Sequence, residues 1–248
     1  MNLLIIRHAE SANNRIITTH GYDDYLGGRV HEPPLTDTGE AQAEHLAEHL
    51  ASANQLEFSR KGKETRNGYG IDRLYCSPML RTLQTAYPTA KALNLPLEIW
   101  RDTFEHGGLF EGDPFKDNGA GLKFFPGMGR GAMMERFPGV VVPELITDEG
   151  WYVGGYEELA GCAARAVTVA EELTALAAEN PDLTIALVTH GTFINQLLHR
   201  VLGVGNDAPM YFFHANTGIT RVEFSEDGFR DLRYMNRLEH LPSELWTR

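Results

Sequence analysis

Short apolar runs alternate along this chain with segments whose apolar residues recur every three or four positions. The first run, Leu3 to Ile6, is continuously apolar, as expected of a strand buried on both faces of a sheet. Similar runs predict further strands at residues 71–76, 95–100 and 183–188. Together these segments predict the core strands of one sheet.

Apolar residues at helical spacing predict the helices that connect these strands. One helix is expected to begin after an N-cap at Thr36 or Asp37. A second follows the strand at 71–76, and Pro88 within it predicts a kink or an early stop, because an interior proline removes a backbone donor. Two more helices are predicted at residues 157–178 and 192–202.

The order of these elements predicts the fold class. Strands that alternate with helices are typical of an α/β fold, with a mostly parallel central sheet and helices on both of its faces. Residues 219–224 and 229–234 flank an Asp227-Gly228 turn, which predicts a hairpin. The sheet is therefore expected to end in antiparallel strands at one edge.

Two segments lack clear periodicity. Residues 53–69 are polar and are predicted to be a solvated connection. Residues 106–156 are rich in glycine and proline, as expected of a long insertion that forms a lid over the active site. With no internal repeat, the chain is predicted to be a single domain, 1–248, that carries this inserted region.

Composition and charge narrow the class of protein. Hydrophobic residues make up 42% and charged residues 23% of the 248, as in ordinary globular proteins. The net charge of −12 argues against nucleic acid or an anionic membrane surface as a partner. Arg7 interrupts the first apolar run, so a cytoplasmic protein is expected. Cys76 and Cys162 are predicted to be buried free thiols. The sequence leaves open whether the protein forms a homo-oligomer.

Polar residues with chemical potential follow the predicted strands directly. In an open parallel sheet, ligands bind beyond the carboxyl ends of the strands. The residues at these positions are Arg7, His8, Arg81, Glu105, His190 and Gly191. We therefore expect two histidines, two arginines and a carboxylate to converge in one pocket.

Such a pocket suits phosphoryl transfer, in which positioned cations stabilise the charged phosphoryl oxygens. Arg7 and Arg81 supply forked donors. A neutral His8 is predicted to attack phosphorus and form a phosphohistidine, and Glu105 to protonate the leaving oxygen and then activate water. No metal or organic cofactor is expected, since the chain has no HExxH, His-x-His or Cys-x-x-Cys pattern.

The motifs around these residues resemble those of a known family. Arg7-His8-Ala9-Glu10 is similar to the RHG motif of the histidine phosphatase superfamily, the phosphoglycerate mutase-like group, with Ala9 in place of the usual glycine. The resemblance continues through Leu35-Thr36-x-x-Gly39-x-x-Gln42-Ala43, Ser77-Pro78-x-x-Arg81-Thr82 and Val188-Thr189-His190-Gly191. The four motifs follow the family's order and span most of the chain.

The resemblance implies a role for each matched residue. His8 would be the nucleophile, Glu105 the proton donor, and Arg7, Arg81 and His190 the groups that bind the phosphoryl oxygens. The resemblance also places Asn14 and Gly191 in contact with the substrate. It implies a phosphatase that hydrolyses a small phosphorylated metabolite.

Other functions remain open. A cofactor-dependent mutase would be stimulated by a bisphosphate primer, a metal-dependent hydrolase would hold a stoichiometric metal, and a non-catalytic regulator would bind a phospho-ligand without turnover. A cysteine phosphatase is disfavoured, because four residues rather than five separate Cys76 from Arg81. Four basic residues of the insertion either clamp a second anionic group of the substrate or are solvated: Lys116, Lys123, Arg130 and Arg136.

Overall fold

A central sheet organises the chain in a computed structural model, which describes residues 1–52, 55–59, 62–66, 69–119, 121–205 and 208–248. Seven strands form this sheet in the order β11-β10-β1-β9-β4-β5-β8. Their bounds are β1 Asn2–Arg7, β4 Arg73–Cys76, β5 Leu97–Ile99, β8 Val140–Val141, β9 Thr184–Thr189, β10 Ile219–Phe224 and β11 Arg230–Arg237. Two small antiparallel pairs lie outside the sheet: β2 Gln55–Ser59 with β3 Gly62–Arg66, and β6 Phe110–Glu111 with β7 Lys123–Phe124.

The predicted fold class is confirmed. Strand β1 pairs in parallel with β9, and the parallel arrangement continues through β4, β5 and β8. On its other side β1 pairs antiparallel with β10, which pairs antiparallel with β11 at the edge. The predicted edge hairpin is therefore present.

Helices cover both faces of this sheet. The helix bounds are α1 Ala12–His20, α2 Tyr22–Gly28, α3 Asp37–Ala51, α4 Leu80–Leu93, α5 Arg130–Arg136, α6 Leu159–Glu179 and α7 Gly191–Val201. Because side chains alternate across a strand, Leu4 and Ile6 of β1 enter one apolar layer while Leu3 and Ile5 enter the other. The first layer contains apolar residues of α3 and α4, and the second contains those of α6 and α7. Both faces of the central strands are therefore buried.

Pro88 does not end its helix. Helix α4 runs through Pro88 to Leu93, so the early stop is wrong. Leu83 and Ala86 before the proline and Ala90 after it are all buried in the same apolar layer. Packing on both sides of the proline outweighs the one hydrogen bond that it removes.

Two regions are more regular than their sequences predict. Residues 12–28 form α1 and α2, although they carry no continuous apolar stripe. A capping box stabilises the first turn of α1, in which the Ser11 hydroxyl accepts from the Asn14 backbone and the Asn14 side chain accepts from the Ser11 backbone. Within the predicted connection at 53–69, the backbone of β2 pairs antiparallel with that of β3, and residues 53–54, 60–61 and 67–68 lie outside the described residues.

The segment at 106–156 is partly built into the core. It supplies edge strand β8, and Phe137 and Ile146 pack in the same apolar layer as α3 and α4. The remainder contains α5 and the β6–β7 pair. Its action as a lid stays a prediction.

Both cysteines are buried, as predicted, and neither forms a disulfide. Burial raises the pKa of Cys76, and it raises that of Cys162 to about 12, so both thiols are protonated at neutral pH. No helix in the described ranges is both long and apolar enough to cross a membrane.

The two-layer core predicts that two leucines of α6 contribute differently to the free energy of unfolding. Leu173 is fully buried, whereas Leu159 is 50% exposed. We expect Leu173→Ala to lower the free energy of unfolding by about 2–5 kcal/mol, because it removes buried apolar contacts and leaves a cavity. Leu159→Ala is the matched control, and urea unfolding of both variants is the measurement. Equal losses would contradict the assignment of this helix face.

Candidate active site

A cavity of about 280 Å³ opens beyond the carboxyl ends of the central strands. Residues of its lining include Arg7, His8, Ser11, Asn13, Asn14, Tyr22, Tyr25, Arg29, His31, Arg81, Glu105, His106, Phe110, Phe115, Tyr156 and Thr192. Five of the seven predicted site residues are in this set. The inner part is polar and charged, and aromatic rings contribute to the rest of the wall.

The His8 imidazole is held in one orientation. Its Nδ1 lies 2.7 Å from the carbonyl oxygen of Ala9, which can only accept, so Nδ1 carries the proton. Its Nε2 is then unprotonated and accepts a hydrogen bond from Nε of Arg81 at 3.1 Å. Burial, reinforced by the charges of Arg81 and Arg7, holds the pKa of His8 well below its usual range. His8 is therefore neutral and has a lone pair on Nε2.

The backbone around His8 is buried beyond the end of β1 and finds its partners on other elements. The Ala9 N–H donates to the Thr85 hydroxyl at 3.0 Å, and the Glu10 N–H donates to Oε1 of Gln42 at 2.7 Å. The Asn216 side chain donates to the His8 carbonyl at 2.9 Å. These bonds fix the loop that carries the imidazole.

Gly39 allows helix α3 to approach this loop. The Thr36 hydroxyl caps α3 by accepting from the Gly39 N–H at 3.1 Å, and the Thr36 N–H donates to the Glu10 carbonyl at 3.0 Å. A Cβ at position 39 would overlap that carbonyl. The Thr36, Gly39 and Gln42 motif is therefore explained by the contact between α3 and the His8 loop.

Two buried arginines flank His8. Nη1 of Arg7 donates to the His214 carbonyl at 2.7 Å, while its Nε is buried without a partner in the described structure. Burial lowers the pKa of Arg81 to about 10, an effect that nearby Glu105 and Glu32 oppose. Both guanidinium groups remain charged at neutral pH, so the cavity presents two cations beside the His8 lone pair.

His190 and Gly191 lie behind the cavity rather than in its lining. The His190 ring is fully buried, and its centroid is 5.2 Å from that of His8. Its Nε2 is 2.8 Å from the Ser77 hydroxyl, and its Nδ1 has no partner among the described residues. Burial, together with the charge of Arg81, lowers the pKa of His190 well below its usual range. A Cβ on Gly191 would be 3.5 Å from Nε of Arg7, so this glycine packs beside that guanidinium.

Glu105 lies in the lining and holds the start of α7. Its carboxylate accepts from the backbone N–H groups of Thr192 at 3.2 Å and Phe193 at 3.1 Å. Its Oε1 also accepts from the His106 N–H at 2.9 Å. The predicted proton donor therefore lines the same cavity as Arg7 and Arg81 and also satisfies amides at the helix N-terminus.

A second carboxyl group near Arg81 was not predicted from the sequence. Glu32 accepts a long hydrogen bond from the Leu80 N–H at 3.3 Å, and burial raises the pKa of Glu32. It directly precedes Pro33 and Pro34 in the sequence, where no strand end or motif marks it. Its side chain is outside the cavity lining, which makes it the less direct candidate for a proton donor.

The two asparagines of α1 have different partners. Asn13 exchanges hydrogen bonds with the backbone of Val30, at 2.9 and 3.1 Å. Asn14 uses its Oδ1 in the capping box with Ser11, at 3.1 and 2.9 Å. Both line the cavity, and the predicted contact of Asn14 with substrate stays a prediction.

None of the basic residues considered for a clamp in the insertion lines the cavity, and Arg130 instead donates to the Pro143 carbonyl at 2.8 Å. A different cation is present there: Arg29, in the polar stretch between the first two motifs. Across the described ranges, no group of three or more His, Cys, Asp or Glu side chains has an arrangement that could hold a metal ion.

The comparison with protein families agrees with this geometry. A model of the histidine phosphatase superfamily (branch 1) matches residues 3–237. This chain belongs to the histidine phosphatase superfamily. It is therefore a phosphoryl-transfer enzyme of the phosphoglycerate mutase-like group. No curated protein sequence gives a significant match.

Solved structures share the histidine phosphatase fold along nearly the whole chain. A phosphoserine phosphatase from Entamoeba histolytica, in complex with phosphoserine, is 22% identical, with a TM-score of 0.59 over 97% of this chain and 99% of that one. An alpha-ribazole phosphatase from Shigella flexneri is 18% identical, with a TM-score of 0.60 over 96% of each chain. A mycobacterial glucosyl-3-phosphoglycerate phosphatase is 17% identical, with a TM-score of 0.55 over 96% and 99%. At these identities the likeness shows the fold.

Because α3 approaches the Glu10 carbonyl closely at Gly39, any larger residue at position 39 is predicted to destabilise the fold. We expect Gly39→Ala to lower the free energy of unfolding by about 1–3 kcal/mol, because the added methyl group forces α3 away from Glu10. Gly27→Ala is the control, since a Cβ at position 27 meets nothing within 4 Å. Urea unfolding should show Gly27→Ala unchanged or slightly stabilised, and equal destabilisation of both variants would refute the packing argument.

Proposed function

We propose that this enzyme is a phosphatase that hydrolyses phosphomonoesters of small metabolites through a phosphohistidine at Nε2 of His8. The observation that carries the proposal is the tautomer of His8. Its Nδ1 proton is held by the Ala9 carbonyl, and its Nε2 lone pair lies beside Arg81 in the cavity. An incoming phosphoryl group offers Arg81 an anionic acceptor in place of the imidazole, which frees Nε2 for attack.

In the first step, the Nε2 lone pair forms a bond to phosphorus as the bond between phosphorus and the ester oxygen breaks. Protonated Glu105 gives its proton to that oxygen, so the alcohol leaves neutral. Arg7 and Arg81 balance the negative charge on the phosphoryl oxygens. The hydrogen bond from Nδ1 to the Ala9 carbonyl stabilises the positive charge that develops on the imidazole.

In the second step, the Glu105 carboxylate takes a proton from water while the water oxygen attacks phosphorus. The bond between phosphorus and Nε2 breaks, and its electron pair returns to His8. Inorganic phosphate leaves, Glu105 is protonated again, and His8 recovers its starting tautomer. Each group is thus returned to its initial state without a metal or organic cofactor.

His190 supports the phosphoryl group from the buried side. If the Ser77 hydroxyl donates to Nε2 of His190, the ring proton is on Nδ1, which has no other partner in the described structure. That N–H donates to a phosphoryl oxygen as the group moves toward His8. The neutral form of His190, favoured by its burial, is the form that this arrangement requires.

The dimensions and charge of the cavity favour a small anionic substrate. A volume of about 280 Å³ is at the lower end of the range of ligand pockets, roughly 300–1,000 Å³. The net charge of −12 makes the surface unfavourable for anions in general, whereas the buried guanidinium groups attract them locally. Recognition of an anionic substrate therefore depends on the arginines of the cavity rather than on the charge of the surface.

The nucleophile is tested with His8→Ala and an aryl phosphate in excess EDTA. We expect turnover by the wild type without added metal, and a loss on the order of 10³-fold or more in the variant, because the covalent route is removed. Quenched wild type should carry acid-labile, base-stable phosphate. His20→Ala, which changes an exposed histidine, is the control and should retain activity. Full activity of His8→Ala, or activity that depends on a metal, would overturn the proposal, and stimulation of phosphoryl transfer by a bisphosphate primer would favour the mutase.

The proton donor is tested by comparing leaving groups. Glu105→Gln keeps an oxygen that accepts from the α7 amides but has no proton to give. We expect it to slow hydrolysis of an alkyl phosphate by about 10²-fold to 10³-fold, and to affect a phosphate of an acidic phenol much less, since that phenol leaves without protonation. Glu32→Gln is the matched variant. Equal losses of Glu105→Gln on both esters would assign Glu105 to holding α7, and a selective loss in Glu32→Gln would make Glu32 the acid.

A further inference from the structure

Arg29 is a third arginine of the cavity that the proposed reaction does not use. It lies directly after α2, where its backbone N–H donates to the Tyr25 carbonyl at 2.8 Å. Its guanidinium carbon is 3.7 Å from the centroid of the Phe110 ring and 5.1 Å from that of Tyr25. The two rings hold the planar group by its face and leave its edge for hydrogen bonding.

That edge has no acceptor among the described residues. The Arg29 side chain makes no hydrogen bond or ion pair there, and its Nε is buried without a partner. The neighbouring imidazole is different, since His31 bonds Oε1 of Glu111 at 2.8 Å and stacks on Phe125, with the ring centroids 3.6 Å apart. The charge of Glu111 acts on Arg29, but Glu111 makes its hydrogen bond to His31 and not to the guanidinium. An arginine fixed in a cavity wall without a hydrogen-bonded acidic partner needs an acceptor from a ligand.

The charges of the lining also call for a second anion. Arg7, Arg81 and Arg29 carry three positive charges, and Glu105 is the acidic side chain among the described lining residues. A phosphoryl group with two negative charges matches the two arginines beside His8, and Glu105 must be protonated to act as the acid. Arg29 then has no anion among the described lining residues to balance it, and Glu111, which bonds His31, acts on it from outside the lining.

We propose that Arg29 is a specificity residue that binds a carboxylate on the substrate, apart from the reacting phosphoryl group. This inference rests on the proposed phosphatase function. A carboxylate fits better than a second phosphate, because one guanidinium supplies one positive charge and a fork of two N–H groups that matches two carboxylate oxygens. The preferred substrates are then small phosphate esters of hydroxy or amino acids.

The test compares two esters that differ at one group, 3-phosphoglycerate and glycerol 3-phosphate, in which a hydroxymethyl group replaces the carboxylate. We expect the wild type to favour 3-phosphoglycerate in kcat/KM by about tenfold or more, the usual effect of a charge-assisted hydrogen bond. Arg29→Met, which keeps an apolar chain against Phe110, should reduce this ratio to near one. Arg29→Lys should keep part of it, because the charge remains.

Arg136→Met is the matched control, since Arg136 lies 5.9 Å from the Phe137 ring and is outside the cavity lining. It should keep the wild-type ratio. A ratio that is the same in wild type and Arg29→Met would overturn the inference. A larger Arg29-dependent gain with 1,3-propanediol bisphosphate over its monophosphate would show that the second group is a phosphate, which also contradicts the carboxylate.

A binding measurement separates this inference from the reaction. Calorimetric titration of 3-phosphoglycerate and glycerol 3-phosphate into His8→Ala, with and without Arg29→Met, needs no turnover. A preference for the carboxylate that disappears with Arg29→Met supports the inference even if the wild type hydrolyses no ester, and in that case the proposed function alone fails. Equal affinity for the two compounds refutes the role of Arg29, whatever the enzyme hydrolyses.

Discussion

The active site depends on a short piece of buried backbone that the sheet satisfies only at its start. The His8 N–H makes the last bond to β9, at the Thr189 carbonyl, and beyond it the His8 C=O and the N–H groups of Ala9 and Glu10 have left the ladder but have not reached water. Each such group costs free energy unless it is paired, so side chains must come to it. Thr85 of α4, Gln42 of α3 and Asn216 before β10 provide these pairs. Helices α3 and α4 are therefore positioned by the same bonds that fix the orientation of the His8 loop.

The second constraint is electrostatic. Arg7, His8, Arg81 and His190 are buried together, and desolvation is the largest cause of the lowered pKa of each. Both imidazoles are held neutral, as the proposed roles of His8 as nucleophile and His190 as hydrogen-bond donor require, while the guanidinium groups keep their charge. An anion bound beside them supplies the charge that the protein interior lacks. In the proposed reaction, binding of the phosphoryl group offsets the cost of burying these cations and so contributes to affinity and to stabilisation of the transition state.

The sequence predicts the parts of this molecule that follow from periodicity and from the ends of strands. The parallel strands, the edge hairpin and the convergence of Arg7, His8, Arg81 and Glu105 were all accessible in this way. The helices at 12–28 were not, because a capping box and contacts of Asn13 stabilise them in place of an apolar stripe. Glu32 and Arg29 were also missed, since their positions depend on how that region packs against the segment at 106–156. The burial of His190 behind His8 likewise depends on tertiary packing rather than on its place after β9.

The anchors of the His8 loop have a consequence for how the protein acquires activity as it folds. They lie at positions 42, 85 and 216, so no short stretch of the chain contains the complete set. Contacts between such distant positions form late, after the entropy of closing long loops has been overcome. In a partly folded chain, even one with native helices, the His8 loop lacks the hydrogen bonds that fix the orientation of the imidazole. Recovery of activity during refolding would then report completion of the whole sheet and its covering helices.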